Sequence, residues 1–218
     1  MDLEQVNEEI ISCRRCPRLV EWREKVARER RRAFLNWTYW GKPVPGFGDP
    51  QARVFVVGLA PGAHGSNRTG RQFTGDASGD FLYPALYRAG FASQPHSISR
   101  TDSLRLIDLY IAPVCRCVPP KNKPTQMEMD NCQPFLEREL ELIRPKVVVA
   151  LGRIAYERIL KILPAELPAA PFAHNMVHEL SDAIHLVCSY HPSRQNTQTG
   201  RLTVTMFDQV WATVRHLR

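Results

Sequence analysis

The fold predicted by this 218-residue sequence is an α/β domain in three layers, with helices covering both faces of a central, mainly parallel four-stranded sheet. Three observations carry that prediction. Four short runs are apolar and rich in β-branched residues throughout their length, as strands buried on both faces must be. Helical stretches separate them, so each crossover between parallel strands has a helix to make it. A glycine-rich segment follows the first run directly, at the end of an open α/β sheet where ligands are held.

The chain opens with Cys13-Arg-Arg-Cys16, followed by the dense basic run Arg28-Glu-Arg30-Arg31-Arg32. That run reads either as a solvated helix face or as a surface for a polyanion. From Arg30 to Asp49 the strand and helix rhythm breaks. Phe34, Trp37, Tyr39 and Trp40 here precede Pro43, Pro45 and three glycines, an irregular excursion whose aromatic rings either fill a pocket under a loop or stack on bases. The strands are Val54–Gly58, Leu106–Ile111, Lys146–Leu151 and Ile184–Cys188. Asp80–Ala89, closed by Gly90, and Arg153–Leu160 repeat apolar residues at helical spacing. Thr125-Gln-Met-Glu128 is a capping box opening another helix, which Pro134 should kink and the Arg144-Pro145 step should end. Residues 1–218 form one domain on this reading, with no linker, repeat or low-complexity tract.

Composition narrows the partners. The net charge is +7, and 23 of the 29 basic residues are arginine, whose planar fork suits phosphate. No apolar run approaches the roughly 20 residues that span a bilayer, and the N-terminus lacks the order of a signal peptide. A cytoplasmic setting is therefore expected, where a cysteine pattern means metal more often than disulfide. Cys13 and Cys16, brought together with the Cys115-Arg-Cys117 segment and Cys132, would form a sulfur cage for zinc or an iron–sulfur cluster. Spacing alone leaves Cys115 or Cys117 as the third ligand. Cys188, inside an apolar run, reads as a small buried hydrophobe.

Six of the 12 glycines fall between Gly58 and Gly79, yet the segment matches neither the phosphate-binding P-loop nor the dinucleotide fingerprint. Asp76 in this segment either activates a water, caps the next helix or pairs with Arg71. Phe73 offers a face for stacking or a core position, and His64 a hydrogen bond to a ligand. His191, in Tyr190-His-Pro-Ser-Arg-Gln-Asn196 after the last strand, reaches the same crevice and presents a donor or a positive charge to a leaving group. Ser193 there is also a helix cap.

GLAPGAHG, RQFTGDASG, CVPPKNKPT, RPKVVVALGR and YHPSRQN stand in this order between Cys13 and Asn196. With them the chain resembles the iron–sulfur branch of the uracil-DNA glycosylase superfamily, family 5, also called UDGb. The resemblance implies excision of uracil, and of other deaminated bases such as hypoxanthine and xanthine, from DNA without strand cleavage. It implies a [4Fe–4S] cluster on Cys13, Cys16, Cys117 and Cys132, leaving Cys115 spare. Asp76 would activate the water and His191 stabilise the leaving base. Phe73 would stack on the flipped base, and Gly62, Ala63, His64 and Gly65 would position water and base. Asn122 would contact base or phosphate, while Ser193, Arg194 and Gln195 belong to the loop entering the duplex. A monomer associated with the nucleoid is expected. Two departures stand out: Leu59 and Ala60 occupy positions where many superfamily members carry a polar residue, and the second strand ends Ala112-Pro113-Val114 where they carry an asparagine. Fewer fixed hydrogen bonds imply a broader choice of base. Two rival readings remain: a metal-stapled nucleic-acid binder without catalysis, and a redox or electron-transfer protein, which would explain the cysteines alone.

Overall fold

The computed structural model describes residues 2–165, 171–180 and 184–218. At its centre four parallel strands stand in the order β3 (Leu109–Pro113), β2 (Val54–Gly58), β4 (Val147–Leu151) and β6 (His185–Ser189). Side chains alternate between faces, so one strand feeds two cores. Val54, Val56, Val147, Val149 and Val187 pack with α4 (Ala77–Arg88) and α8 (Val204–Leu217), while Phe55, Val57, Val148 and Ala150 pack with α5 (Gln126–Ile143) and α6 (Arg153–Ile162). The result is the three-layer arrangement expected from the continuous apolar runs.

Two short antiparallel strands extend the sheet to six: β1 (Phe47–Gly48) beside β3 and β5 (Val177–Glu179) beside β6. Two or three residues are too few for a periodic pattern to announce. The second central strand also starts later than its apolar run suggested. Leu106 pairs instead with Ala92, and Asp108 adopts a left-handed φ of 55° that breaks the extended chain before Leu109. Arg53 stabilises that turn, donating from its backbone N–H at 2.8 Å and from its guanidinium at 2.6 Å to the Asp108 carboxylate.

Helix boundaries follow local chemistry. Asp2 and Gln5 form a capping box for α1 (Leu3–Ser12), and Pro17 occupies the first position of α2 (Pro17–Glu29), where its missing N–H costs nothing. Thr125 and Glu128 cap α5 reciprocally, α5 continues through Pro134, and Arg144 at φ 52° ends it. The shorter helices α3 (Ser66–Thr69) and α7 (Arg194–Gln198) sit on the loops that follow β2 and β6. No described helix is long and apolar enough to cross a membrane.

One buried ionic group clamps the loop after β3 to α5. Arg116, 1% exposed, pairs through both terminal guanidinium nitrogens with Glu139, 0% exposed, and Tyr110 donates to the same carboxylate at 3.2 Å. Removing one partner of such a pair leaves a charge stranded away from water. Glu139→Ala should therefore cost about 3–5 kcal/mol in denaturant titration, and the double variant Arg116→Met/Glu139→Leu much less. Equal losses in both would mean that shape, not charge, governs this contact.

Candidate active site

The strand order reverses direction between β2 and β4, and at this end of the sheet the loops leaving β2, β3 and β6 enclose a cavity of about 310 Å³. Its walls come from Leu59, Gly62, Phe73, Asp76, Asn122 and His191, with Ala60, Ser66, Gln72, Ser78 and Ser193 completing them.

Asp76 is the N-cap of α4, and its Oδ1 accepts from the N–H groups of Ser78 and Gly79, both at 3.1 Å. Its other oxygen does something different. Oδ2 accepts no hydrogen bond from the described residues and lies against the glycine-rich loop, where a Cβ on Gly65 would come within 1.9 Å of it and one on Gly62 within 3.0 Å. Those two positions are glycine because the carboxylate occupies the space. Burial pushes the Asp76 carboxyl above the usual carboxylate range, against the pull of the two cap hydrogen bonds and of the Arg68 charge. Arg71, the partner considered from sequence, goes elsewhere: it pairs with Asp102 at 2.8 Å and bonds Ser97 and Thr74.

Phe73 holds the opposite wall in a left-handed backbone, φ 50°, a cost of order 1–3 kcal/mol for a non-glycine residue. Its neighbours impose it. The Gln72 carbonyl accepts from the buried Tyr83 hydroxyl at 2.8 Å, and the Gln72 amide donates to the Val44 and Pro45 carbonyls. The ring lies so close to Gly58 that a Cβ there would sit 2.9 Å from it. His191 stands 5.9 Å from Phe73 between ring centroids, tilted by 32°. Burial drives the His191 imidazole down to about 4, so at neutral pH it is an uncharged hydrogen-bonding group and not a cation. Its Nδ1 is buried with no partner among the described residues. Asn196 donates to the His191 carbonyl at 2.8 Å, and Ser193 caps α7, which together fix this loop.

The structure thus brings Asp76, His191, Gly62, Phe73, Asn122 and Ser193 to one cavity. Ala63, His64 and Gly65 are not on its wall, and Arg194 and Gln195 are exposed on the first turn of α7. His64 turns away, its Nδ1 sharing a hydrogen bond with the Tyr39 hydroxyl at 3.1 Å, and burial followed by the Arg31 and Arg68 charges lowers its pKa. Sequence reasoning gave no role to Gln72, Ser66 or Ser78. Gln72 and Ser78 stood inside the RQFTGDASG segment, but nothing in a linear pattern separates an inward side chain from an outward one in a loop.

A second, enclosed space is lined by Cys13, Cys16, Cys117 and Cys132 together. Cys115 is buried beside them but not on that lining. Donors already aim at the sulfurs: Arg23 Nη1 lies 3.1 Å from Cys117 Sγ and Asn131 Nδ2 3.4 Å from Cys16 Sγ. Among the described residues no group of three or more His, Cys, Asp or Glu is placed to hold a metal ion. Four thiols line one space with hydrogen-bond donors behind them, a donor set that either a tetrahedral ion or an iron–sulfur cluster takes.

The family model of the uracil DNA glycosylase superfamily matches residues 45–215. A type-5 uracil-DNA glycosylase of Thermus thermophilus is 53% identical over 218 residues, covering 100% of this chain and 99% of its own length. The type-5 enzyme of Mycobacterium leprae is 47% identical over 216 residues, 98% of this chain and 94% of its own. That of Pyrobaculum aerophilum is 49% identical over 201 residues, 92% and 87%.

The neutral histidine gives a direct test. In NMR titration the His191 ring should protonate only near pH 4, where an unperturbed imidazole titrates near 6.5. Below about 6.5 the unfolded chain takes up a proton that the folded one refuses, so stability should fall as pH drops through this window. Phe73→Ala, which opens the cavity to water, should move the His191 midpoint upward; an unmoved midpoint would show that the cavity is not what desolvates it.

Proposed function

The chain belongs to the uracil DNA glycosylase superfamily, and we propose that it excises uracil from DNA by hydrolysing the N-glycosidic bond, as a type-5 enzyme of base excision repair. The observation that carries this reading is the carboxylate of Asp76, with one oxygen free, on the same cavity as an uncharged His191 and the ring of Phe73.

The target nucleotide leaves the stack at a cost of a few kcal/mol and enters the cavity, with Phe73 against its base. The bond from C1′ to the base nitrogen then breaks with its electron pair going to the base. Sugar cation and base anion develop together. Asp76 Oδ2 faces the cation and orients the water whose oxygen bonds C1′, taking up the released proton; its raised pKa suits that role. The neutral His191 donates toward the developing anion, while Gly62, beside Asp76 on the wall and continued behind it by Ala63, His64 and Gly65, helps to position the water. Asn122, at φ 55° on the cavity wall, serves as a base or phosphate contact. Ser193, Arg194 and Gln195 enter the space left in the duplex. No lysine lines the cavity, which supports release of the base without strand scission. The apolar Leu59 and Ala60 on the wall favour acceptance of hypoxanthine and xanthine beside uracil.

Cys13, Cys16, Cys117 and Cys132 would hold a [4Fe–4S] cluster, whose contribution is to cross-link the N-terminal helices to the loop after β3 and to α5. The protein acts as a single monomeric unit over residues 1–218, in the cytoplasm on nucleoid DNA.

Two experiments test this. Asp76→Asn should lower single-turnover release of uracil by about 10²-fold or more while leaving DNA affinity nearly unchanged, since the group acts mainly in the transition state. Near-normal release would return Asp76 to its capping role alone. Iron and sulfide analysis of purified protein should approach about four of each per chain, lost in Cys117→Ser and retained in Cys115→Ser. Stoichiometric zinc without sulfide would overturn the cluster.

A further inference from the structure

Behind the wall that carries Asp76 lies a loop that this chemistry does not use. Arg30, at φ 54°, turns the chain out of α2 into the short 3₁₀ turn Arg32–Phe34. Two contacts make the turn rigid. Arg30 Nη1 donates to the Leu35 carbonyl at 2.6 Å, and the Arg68 guanidinium sits in the corner formed by the rings of Phe34 and Trp37, which meet edge-on at 82°, 4.0 and 4.1 Å from their centroids. The same Arg68 donates to the carbonyls of His64 at 2.7 Å and Gly75 at 3.0 Å, so the turn is fastened to the segment that positions Asp76.

Both aromatic rings of the turn are thereby committed to Arg68. Leu35 is not: it is 54% exposed, on a turn held in one conformation. Arg28, Arg31 and Arg32, three to seven residues upstream, are all exposed, and none has a carboxylate within ion-pair distance among the described residues. An apolar tip on a tethered base, with exposed unpaired cations on the same short segment, matches how proteins unstack a duplex: cations hold the phosphates while an apolar side chain enters a base step. A mobile tip would lose the entropy of ordering on every encounter; the Arg68 contacts reduce that cost beforehand.

We propose that residues 28–37 form a second DNA-contacting element, with Leu35 wedging into a base step of the duplex and Arg28, Arg31 and Arg32 on the flanking phosphates. The proposal rests on DNA being the substrate. Its chemical consequence is selective: a wedge helps only where a base must be pulled out of a paired stack, so single-stranded substrate has no use for it.

The test uses the full-length protein and Leu35→Ala. Release of uracil from a fully paired duplex, under single turnover, should fall by about tenfold, with release from the single-stranded oligonucleotide unchanged. Independently of catalysis, saturating wild-type protein on a duplex with a non-cleavable abasic analogue and 2-aminopurine in the complementary strand should raise fluorescence, and Leu35→Ala should lose at least about half of that rise. Arg31→Gln/Arg32→Gln should lower the slope of log affinity against log salt by about two. Equal effects of Leu35→Ala on paired and single-stranded substrate, an unchanged fluorescence rise, or an unchanged salt slope in the arginine variant would each overturn the proposal. Failure of the wild type to release uracil from either substrate would instead defeat the functional reading, and the fluorescence and salt measurements would still decide the loop.

Discussion

The site depends on one carboxylate with two unlike oxygens. Asp76 Oδ1 closes the first turn of α4, and that bond fixes where Oδ2 points. Everything nearby accommodates the second oxygen. Gly62 and Gly65 give it room, Phe73 accepts a left-handed backbone to stay on the facing wall, and the positive end of the α4 dipole supports the charge. Two influences oppose each other here, since burial disfavours the anion while the cap favours it. Burial wins, and the outcome is a base stronger than an exposed aspartate.

The cysteine frame reaches this centre by a short route. Arg23 in α2 donates to Cys117 Sγ and, at 3.2 Å, to the Cys13 carbonyl, while its own carbonyl accepts from the Asn67 side chain at 3.3 Å. Asn67 in turn donates its backbone N–H to the Gly62 carbonyl at 3.0 Å and accepts from Gly41. One buried arginine therefore stands between the sulfur cage and the glycine that makes room for Asp76. A group held by those four thiols would fasten this loop as well as the helices.

The parallel core was legible because strands buried on both faces must be apolar at every position, and Val54–Gly58 and Val147–Leu151 are. Asp76 shows the limit of reading one residue at a time. Capping and an accepting oxygen for a ligand looked like competing roles from the sequence, but Oδ1 alone makes the cap and Oδ2 is left without a hydrogen bond among the described residues. His191 was legible as a hydrogen-bonding group near the crevice, yet its lack of charge follows from burial, which no motif encodes. Arg68 was invisible for a different reason: its partners Phe34 and Trp37 lie more than thirty residues upstream, and only the folded excursion brings both rings against it. Strands as brief as β1 and β5 leave no periodicity to find.

Those two brief strands have a bearing on how the protein behaves at high concentration. A parallel sheet rich in valine would, if it ended at β3 and β6, present rows of unpaired N–H and carbonyl groups able to recruit the same edge of another molecule. β1 and β5 cover those rows, and they run for only two and three residues, one interrupted by Gly48 at φ 143° and the other carrying His178 and Glu179. Neither is long enough to template a further strand. Resistance to edge-to-edge aggregation is thus built into the sheet by its least conspicuous elements.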